Sequence, residues 1–256
     1  MTGVHFGRRG LLGGLAAGTG GLLLAGCDKI VANPAVSGTL RGLGDPLHYR
    51  SQRLISGGHA LAQEFSASEM SPIFRENGNS LPESSAYQAH AANGFADWAL
   101  VVDGLVARPL KLTMAQLTSL PARTQITRHD CVEGWSAIGK WSGPQLASVL
   151  RAAGISSRAK FIVFHCADNF GPAPYYESID MIDAFHPQTI LALRMNDQPL
   201  PIGHGAPMRL RVERQLGYKH AKFVMRIEAR ESLAGLYGGK GGYWEDAAGY
   251  EWYAGI

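Results

Sequence analysis

The sequence predicts a single strand-rich α+β domain, on three observations. Strand-like apolar runs alternate with short capped helices. Their order shows no regular strand–helix–strand repeat. No Gly-x-Gly-x-x-Gly follows a strand, which argues against a dinucleotide-binding sheet.

The elements follow in chain order. Trp98–Val102, the turn Asp103-Gly104 and Leu105–Ala107 read as a hairpin, because Asp-Gly suits a type I′ turn. Thr113 caps a short helix through Met114, Leu117 and Leu120 that Pro121 stops. Thr124–Arg128 is strand-like and runs to Cys131, with Gly134 and then a helix start beyond it. Ser142-Gly143-Pro144 opens a longer helix, with Leu146, Val149 and Leu150 at helical spacing and Gly154 at its end. The apolar run Lys160–Cys166 predicts a buried strand. Ser178 is placed to cap a short helix carrying Ile179, Ile182 and Ala184. Met208–Val212 and Phe223–Ile227 complete the strands.

Composition narrows the function classes. Charged residues make up 18% of the chain and hydrophobic ones 46%, with a net charge of +3. No basic block or interleaved aromatic stripe is present, so nucleic acid is excluded as a partner. There are three cysteines: Cys27, Cys131 and Cys166. A thiol at a strand end, as Cys131 is, is available as a soft ligand or a nucleophile. A Cys131–Cys166 disulfide is the alternative in an oxidising compartment.

The N-terminal segment reads as targeting rather than fold. Gly7-Arg8-Arg9-Gly10-Leu11-Leu12 precedes a Gly/Ala/Leu-rich apolar stretch, the pattern of a twin-arginine export signal. That stretch is too short and too glycine-rich for a good spanning helix. Leu24-Ala25-Gly26-Cys27 resembles a bacterial lipobox, which implies a lipid on Cys27 and an anchor in the inner membrane, facing the periplasm. The organisation is therefore a signal over 1–27, a Gly/Pro/Ala/Ser-containing tether over 28–50, and one domain over 51–256.

Three clusters in that domain carry a resemblance. The first is Phe74-Arg75-Glu76-Asn77-Gly78-Asn79. The second is Cys131-Val132-Glu133-Gly134-Trp135, with Trp141-Ser142-Gly143 beyond it. The third is His204-Gly205-Ala206-Pro207-Met208-Arg209 followed by Gly217-Tyr218-Lys219-His220-Ala221-Lys222. In order and spacing the set resembles the sulfite oxidase family of molybdopterin-dependent oxidoreductases. It is most similar to the haem-free, twin-arginine-exported branch that includes the methionine sulfoxide reductase catalytic subunit. The resemblance implies a sulfite-oxidase-type molybdopterin-binding fold and a molybdenum-loaded molybdopterin as cofactor.

It also implies roles for particular residues. Cys131 would be the protein ligand to molybdenum, a soft thiolate beside a pterin dithiolene. Asn77, Cys166, His204, Arg209, His220 and Lys222 fall where the family contacts the pterin and its phosphate. Cys166 and His204 depart from the reductase branch, which has Thr and Asn there. Tyr175 and Tyr176 lie near the family's active-site Tyr, and Tyr176 is taken as the candidate donor to a substrate oxygen. Arg128 and His129 precede the cysteine, and Arg128 is taken as the candidate that faces the pocket.

The substrate reading follows from a departure. Sulfite oxidases place an Arg shortly after the metal cysteine, whereas Val132–Ala137 holds none and includes Glu133. A neutral sulfoxide suits that rim better than a sulfite dianion. The expected activity is thus oxygen-atom transfer on a small sulfoxide-like molecule in the periplasm. Dehydrogenation of sulfite or another small sulfur compound is one alternative, and a metal-free binding lipoprotein is another. No Cys-x-x-Cys-His haem motif is present, so electrons are expected from a separate membrane or periplasmic partner.

Overall fold

The computed structural model describes residues 47–55 and 57–256. The export signal, Cys27 and the tether up to residue 46 lie outside the described residues. The chain divides between Ser51 and Gln52 into two units. Residues 47–51 of the first are helical, and the second, from Gln52 onward, holds the sheets.

Its elements in order are α1 (Ser85–Ala92), β1 (Ala99–Gly104), β2 (Leu110–Thr113), α2 (Met114–Ser119), β3 (Ala122–Cys131), β4 (Trp135–Pro144), α3 (Leu146–Ala153), β5 (Phe161–Phe170), β6 (Ala173–Asp180), α4 (Met181–Ala184), β7 (Ile190–Ala192), β8 (Arg194–Met195), β9 (Gln198–Pro199), β10 (Arg209–Arg211), β11 (Val224–Arg230) and α5 (Tyr243–Ala248). Five strands form one sheet in the order β2-β1-β11-β5-β6. Its β1–β11 pair is parallel and its other pairs are antiparallel. A four-stranded sheet runs β3-β4-β8-β9, and β10 pairs with β7. Strands from distant parts of the chain sit side by side, which is the mixed α+β architecture that the irregular element order predicts.

The main core lies on the five-stranded sheet. Trp98, Leu100, Val102, Ile162, Phe164, Ile179, Val224 and Ile227 from the sheet region meet Leu146, Val149, Leu150 and Ala153 of α3. Those four α3 positions repeat at three- and four-residue intervals, so they share one helical face, and all four are buried. Gly154 ends α3 in the left-handed region at φ 69°. A smaller core of Trp141, Ile190, Ala192, Met195 and Leu200 sits under the four-stranded sheet.

Four local expectations are corrected. Gly104 does not turn into Leu105–Ala107; β1 pairs instead with β2 at 110–113, and Gly104 sits against Ala229 of β11 where a Cβ would strike backbone. No helix starts after Gly134: Trp135–Pro144 is a strand paired with β3 along its whole length. Its alternation of buried and half-buried residues from Ala137 to Gly143, which a helix start would not need, is the missed signal. Helix α3 accordingly begins after Gln145 rather than at Ser142. Ile179 belongs to β6, and the cap of α4 is Asp180, whose carboxylate accepts from the Asp183 amide. Asp is as good a cap as Ser, and pairing of Ile179 and Asp180 with Ile162 and Phe161 of β5 carries the strand two residues further.

Candidate active site

The β3–β4 hairpin positions Cys131. It is the last paired residue of β3, opposite Trp135, and the turn closes as the Gly134 amide donates to the Cys131 carbonyl at 3.0 Å. Gly134 holds φ 84°, a backbone state that a side chain would strain. The thiol is 9% exposed and enters a cavity lined also by Asn77, Asn79, Glu133, Asp168, Tyr175, Tyr218, His220, Lys222, Trp244 and Tyr250. Burial, with the Glu133 carboxylate adding to it, pushes the Cys131 thiol above its ordinary value. A cation bound at the sulfur is therefore what would make it a thiolate.

The structure brings some predicted site residues together and separates others. Asn77, Cys131, His220 and Lys222 line one cavity. Arg209 and His204 sit behind it: the Arg209 guanidinium donates to the carbonyls of His204 at 3.1 Å and His220 at 3.2 Å, and lies 5.1 Å from the Trp141 ring centre. The His204 ring meets Phe74 edge-on. Burial, aided by Arg209 and Lys222, lowers His204 to about 4, so it is neutral at pH 7. Cys131 and Cys166 are both free thiols, and the Cys166 sulfur lies 4.0 Å from the Phe164 carbonyl. The disulfide alternative is not formed.

Two candidates fall elsewhere. Tyr176 donates to Asp246 and lines a different, outer cavity with Tyr237 and Tyr243. The tyrosine on the Cys131 cavity is Tyr175, whose hydroxyl donates to the Tyr218 carbonyl at 2.8 Å. Arg128 pairs with Asp130 at 2.9 Å on the outer face of β3. Strand alternation explains this, because residues two apart share a face: His129 goes with Cys131, and Arg128 with Asp130.

His129 is the residue that this alternation identifies. Its Nδ1 lies 3.1 Å from an Arg211 nitrogen, and since Arg only donates, the ring proton is on Nε2. That Nε2 is buried without a partner and lies beside Gly217, where a Cβ would come within 2.5 Å of it. Arg211 is in turn held by Glu213 at 2.6 Å. Asp168, on β5, is joined to Asn79 at 3.1 Å; Asn79 stands in the first motif cluster, whereas Asp168 carried no signal in the sequence. Burial raises Asp168 to about 6.

The charge pattern tests what the cavity suits. Arg209 and Lys222 are both buried, and neither makes an ion pair with a carboxylate among the described residues. Arg209 bonds only to carbonyls, and Lys222 donates to the carbonyls of Asn77 at 2.7 Å, Asn79 at 2.5 Å and Gly203 at 2.8 Å. Burial lowers Lys222 to about 7 and Arg209 to about 9, each with help from a neighbouring Arg. Buried cations that make no direct ion pair are costly, even with Asp168 and Glu76 acting on Lys222 and Glu213 on Arg209, and they suit an anionic ligand. Arg209 Nε is moreover buried without a partner. Among the described residues no three His, Cys, Asp or Glu cluster to hold a metal, so a metal at Cys131 would need its other ligands from a bound group.

A soft thiol on the cavity wall, with Lys222 on the same lining and Arg209 behind it, defines a site for an anionic, metal-bearing cofactor on a mixed α+β scaffold. Residues 87–235 match the family described as the oxidoreductase molybdopterin binding domain, and the chain belongs to that family. A relative from Azospira oryzae, provisionally named protein-methionine-sulfoxide reductase subunit YedZ1, is 46% identical over 160 residues, 62% of this chain and 56% of that one. The protein-methionine-sulfoxide reductase catalytic subunit MsrP of Campylobacter jejuni is 33% identical over 144 residues, 52% of this chain and 48% of that one. The chain thus spans about half the length of these curated relatives. The sulfane dehydrogenase SoxCD of Paracoccus pantotrophus shares the fold with a TM-score of 0.52, at 22% identity over 60% of this chain and 41% of that one. The fold is the sulfite-oxidase-type molybdopterin-binding fold, and its cofactor is molybdopterin carrying molybdenum.

Proposed function

We propose that the protein reduces a neutral sulfoxide by oxygen-atom transfer. The balance is one sulfoxide, two electrons and two protons giving one thioether and one water. When bound, the molybdenum cofactor supplies the two-electron chemistry. The chain's residues hold it and shape the approach. Cys131 would ligate the metal from the end of β3, and Arg209, with Lys222, would offset the cofactor's negative charge. His129 and His220 lie beside the same wall.

One observation carries the choice of substrate. The cavity lining holds the acidic side chains Glu133 and Asp168 and no arginine, while Lys222 is directed to three carbonyls. With Arg209 and Lys222 engaged by the cofactor's charge, a dianion such as sulfite would find only Glu133 and Asp168 beside it and be repelled, whereas a neutral sulfoxide would not. The names of the two relatives, both sulfoxide reductase subunits, support this reading. Electrons would come from a separate membrane or periplasmic partner. The chain would act in the periplasm, exported through Arg8 and Arg9 and anchored by a lipid on Cys27.

The test is turnover by the molybdenum-loaded protein with a reduced viologen dye and methyl p-tolyl sulfoxide, beside sulfite oxidation with ferricyanide. Sulfoxide reduction without sulfite oxidation is expected. Sulfite oxidation alone would overturn the assignment in favour of a sulfite dehydrogenase. Turnover of neither by loaded protein would overturn both. Export and lipidation are tested separately, by mass spectrometry of the mature N-terminus; an unmodified Cys27 would refute the anchor.

A further inference from the structure

We infer that the C-terminal segment supplies the substrate-binding wall of this cavity, Trp244 and Tyr250 receiving the S-methyl end of the sulfoxide, an inference that rests on the sulfoxide reading. Both residues lie beyond residue 235, where the family match ends. Both line the cavity that the Cys131 thiol enters. The Trp244 ring stacks on Tyr250, with centroids 5.8 Å apart and planes at 23°, and meets Phe170 at 5.2 Å. Tyr250 in turn meets Tyr218 edge-on at 5.0 Å. The four rings make one continuous aromatic surface.

This surface is held in place. A six-residue helix such as α5 has little stability of its own, so its contacts must fix it. Glu245, next to Trp244, is fully buried and receives Lys219 at 2.5 Å. Lys219 also pairs with buried Glu177 of β6, and it follows Tyr218 in the turn that lines the cavity. Asp246 accepts from the Tyr176 hydroxyl and from the amides of Gly238 and Lys240, each amide at 2.9 Å. Trp244 is therefore followed directly by two anchored residues, and its ring is held rather than trailing.

The chemistry of the wall favours one kind of ligand. Sulfur packs well against aromatic rings, because both are polarisable, and the ring edges complement the sulfur lone pairs. A neutral methyl-sulfinyl group would put its apolar methyl and sulfur against Trp244 and leave its oxygen free to point toward Cys131. Tyr250 is 37% exposed, so the wall opens to solvent at its rim. A sulfoxide carried on a larger molecule could reach it there.

The test compares wild type with Trp244→Ala, Trp244→Phe and Tyr250→Ala in the molybdenum-loaded protein, reducing methyl p-tolyl sulfoxide with a viologen dye. Loss of an aromatic contact of this kind is expected to raise KM about tenfold in Trp244→Ala, with kcat within about twofold. Trp244→Phe should recover most of the affinity, and Tyr250→Ala should raise KM severalfold. Calorimetric binding of methyl p-tolyl sulfide, the product, should follow the same order without turnover. If Trp244→Ala does not fold, Tyr250→Ala and Trp244→Phe decide. Wild-type KM and product affinity in the folded variants would overturn the inference while leaving sulfoxide reduction intact. A wild type that reduces no sulfoxide but whose product binding still weakens in the variants would overturn the reaction and not the wall.

Discussion

Replacing Lys219 by Met should destabilise the domain by about 3–5 kcal/mol at pH 7, because it removes one partner of a buried ion cluster. Lys219 is fully buried in the turn after Gly217 and faces Glu177 and Glu245, both also fully buried. Without the ammonium, two carboxylates remain together out of water. Glu177 Oε1 and Glu245 Oε2 already lack partners and crowd the Cα of Gly242, where a Cβ would strike both. Burial, followed by the Glu245 charge, raises Glu177 well above the ordinary carboxylate value of 4.5, and Lys219 opposes that rise. The substitution removes the opposition, so Glu177 rises further. A carboxyl raised in the native state binds more protons there than in the unfolded chain, so stability falls as pH increases. The deficit of Lys219→Met should thus be smallest near pH 4.5 and grow as pH rises through the Glu177 range. Urea denaturation of the cofactor-free protein between pH 4.5 and 8 measures it. A deficit under about 1 kcal/mol, or one that shrinks with rising pH, would refute the burial argument.

Other outcomes follow from the same contacts. Leu150→Ala, in the buried stripe of α3, should cost about 2–5 kcal/mol in urea denaturation, since the rigid sheet beneath cannot close the gap. Lys222, lowered to about 7, is neutral in the native protein over a pH range where the unfolded chain still carries its proton. Its burden on the cofactor-free fold should therefore ease from about pH 7 toward 10, so wild type should gain stability relative to Lys222→Met over that range by denaturant titration. His129→Phe removes the Nε2 donor beside Gly217, and pterin released per chain should fall in the variant if that donor faces bound cofactor. Unchanged pterin would place His129 in packing alone. Both Cys131 and Cys166 should react with a maleimide in unfolded, unreduced, cofactor-free protein, and the absence of two labels by mass spectrometry would contradict the free thiols.

Much of the domain was legible because local rules decide it. Helix α3 follows from the spacing of Leu146, Val149 and Leu150, and Gly154 marks its end. The strand ending at Cys131 follows from its alternation. What failed was decided over longer distances. Gly104 is a glycine because β11 approaches from residue 229, not because it turns a hairpin. Trp135–Pro144 became a strand because β3 and β8 pair with it on either side. In the site, the order of motifs located Asn77, Cys131, His220 and Lys222, since each lies in a short signature. The choice between adjacent residues needed the strand faces: Tyr175 over Tyr176, and His129 over Arg128. Asp168, Trp244 and Tyr250 carry no local pattern, and only tertiary packing brings them to Cys131. Glu245, paired with buried Lys219, ties the C-terminal segment beside that cavity.

The most direct measurement is molybdenum and pterin per chain, by elemental analysis and by fluorescence of the released pterin, in wild type and Cys131→Ala. About one of each per wild-type chain is predicted, with a molybdenum(V) signal that is altered or lost in Cys131→Ala while the fold persists. A folded wild type without either, or a Cys131→Ala variant with an unchanged molybdenum(V) signal, would contradict the assignment of Cys131 as the metal ligand.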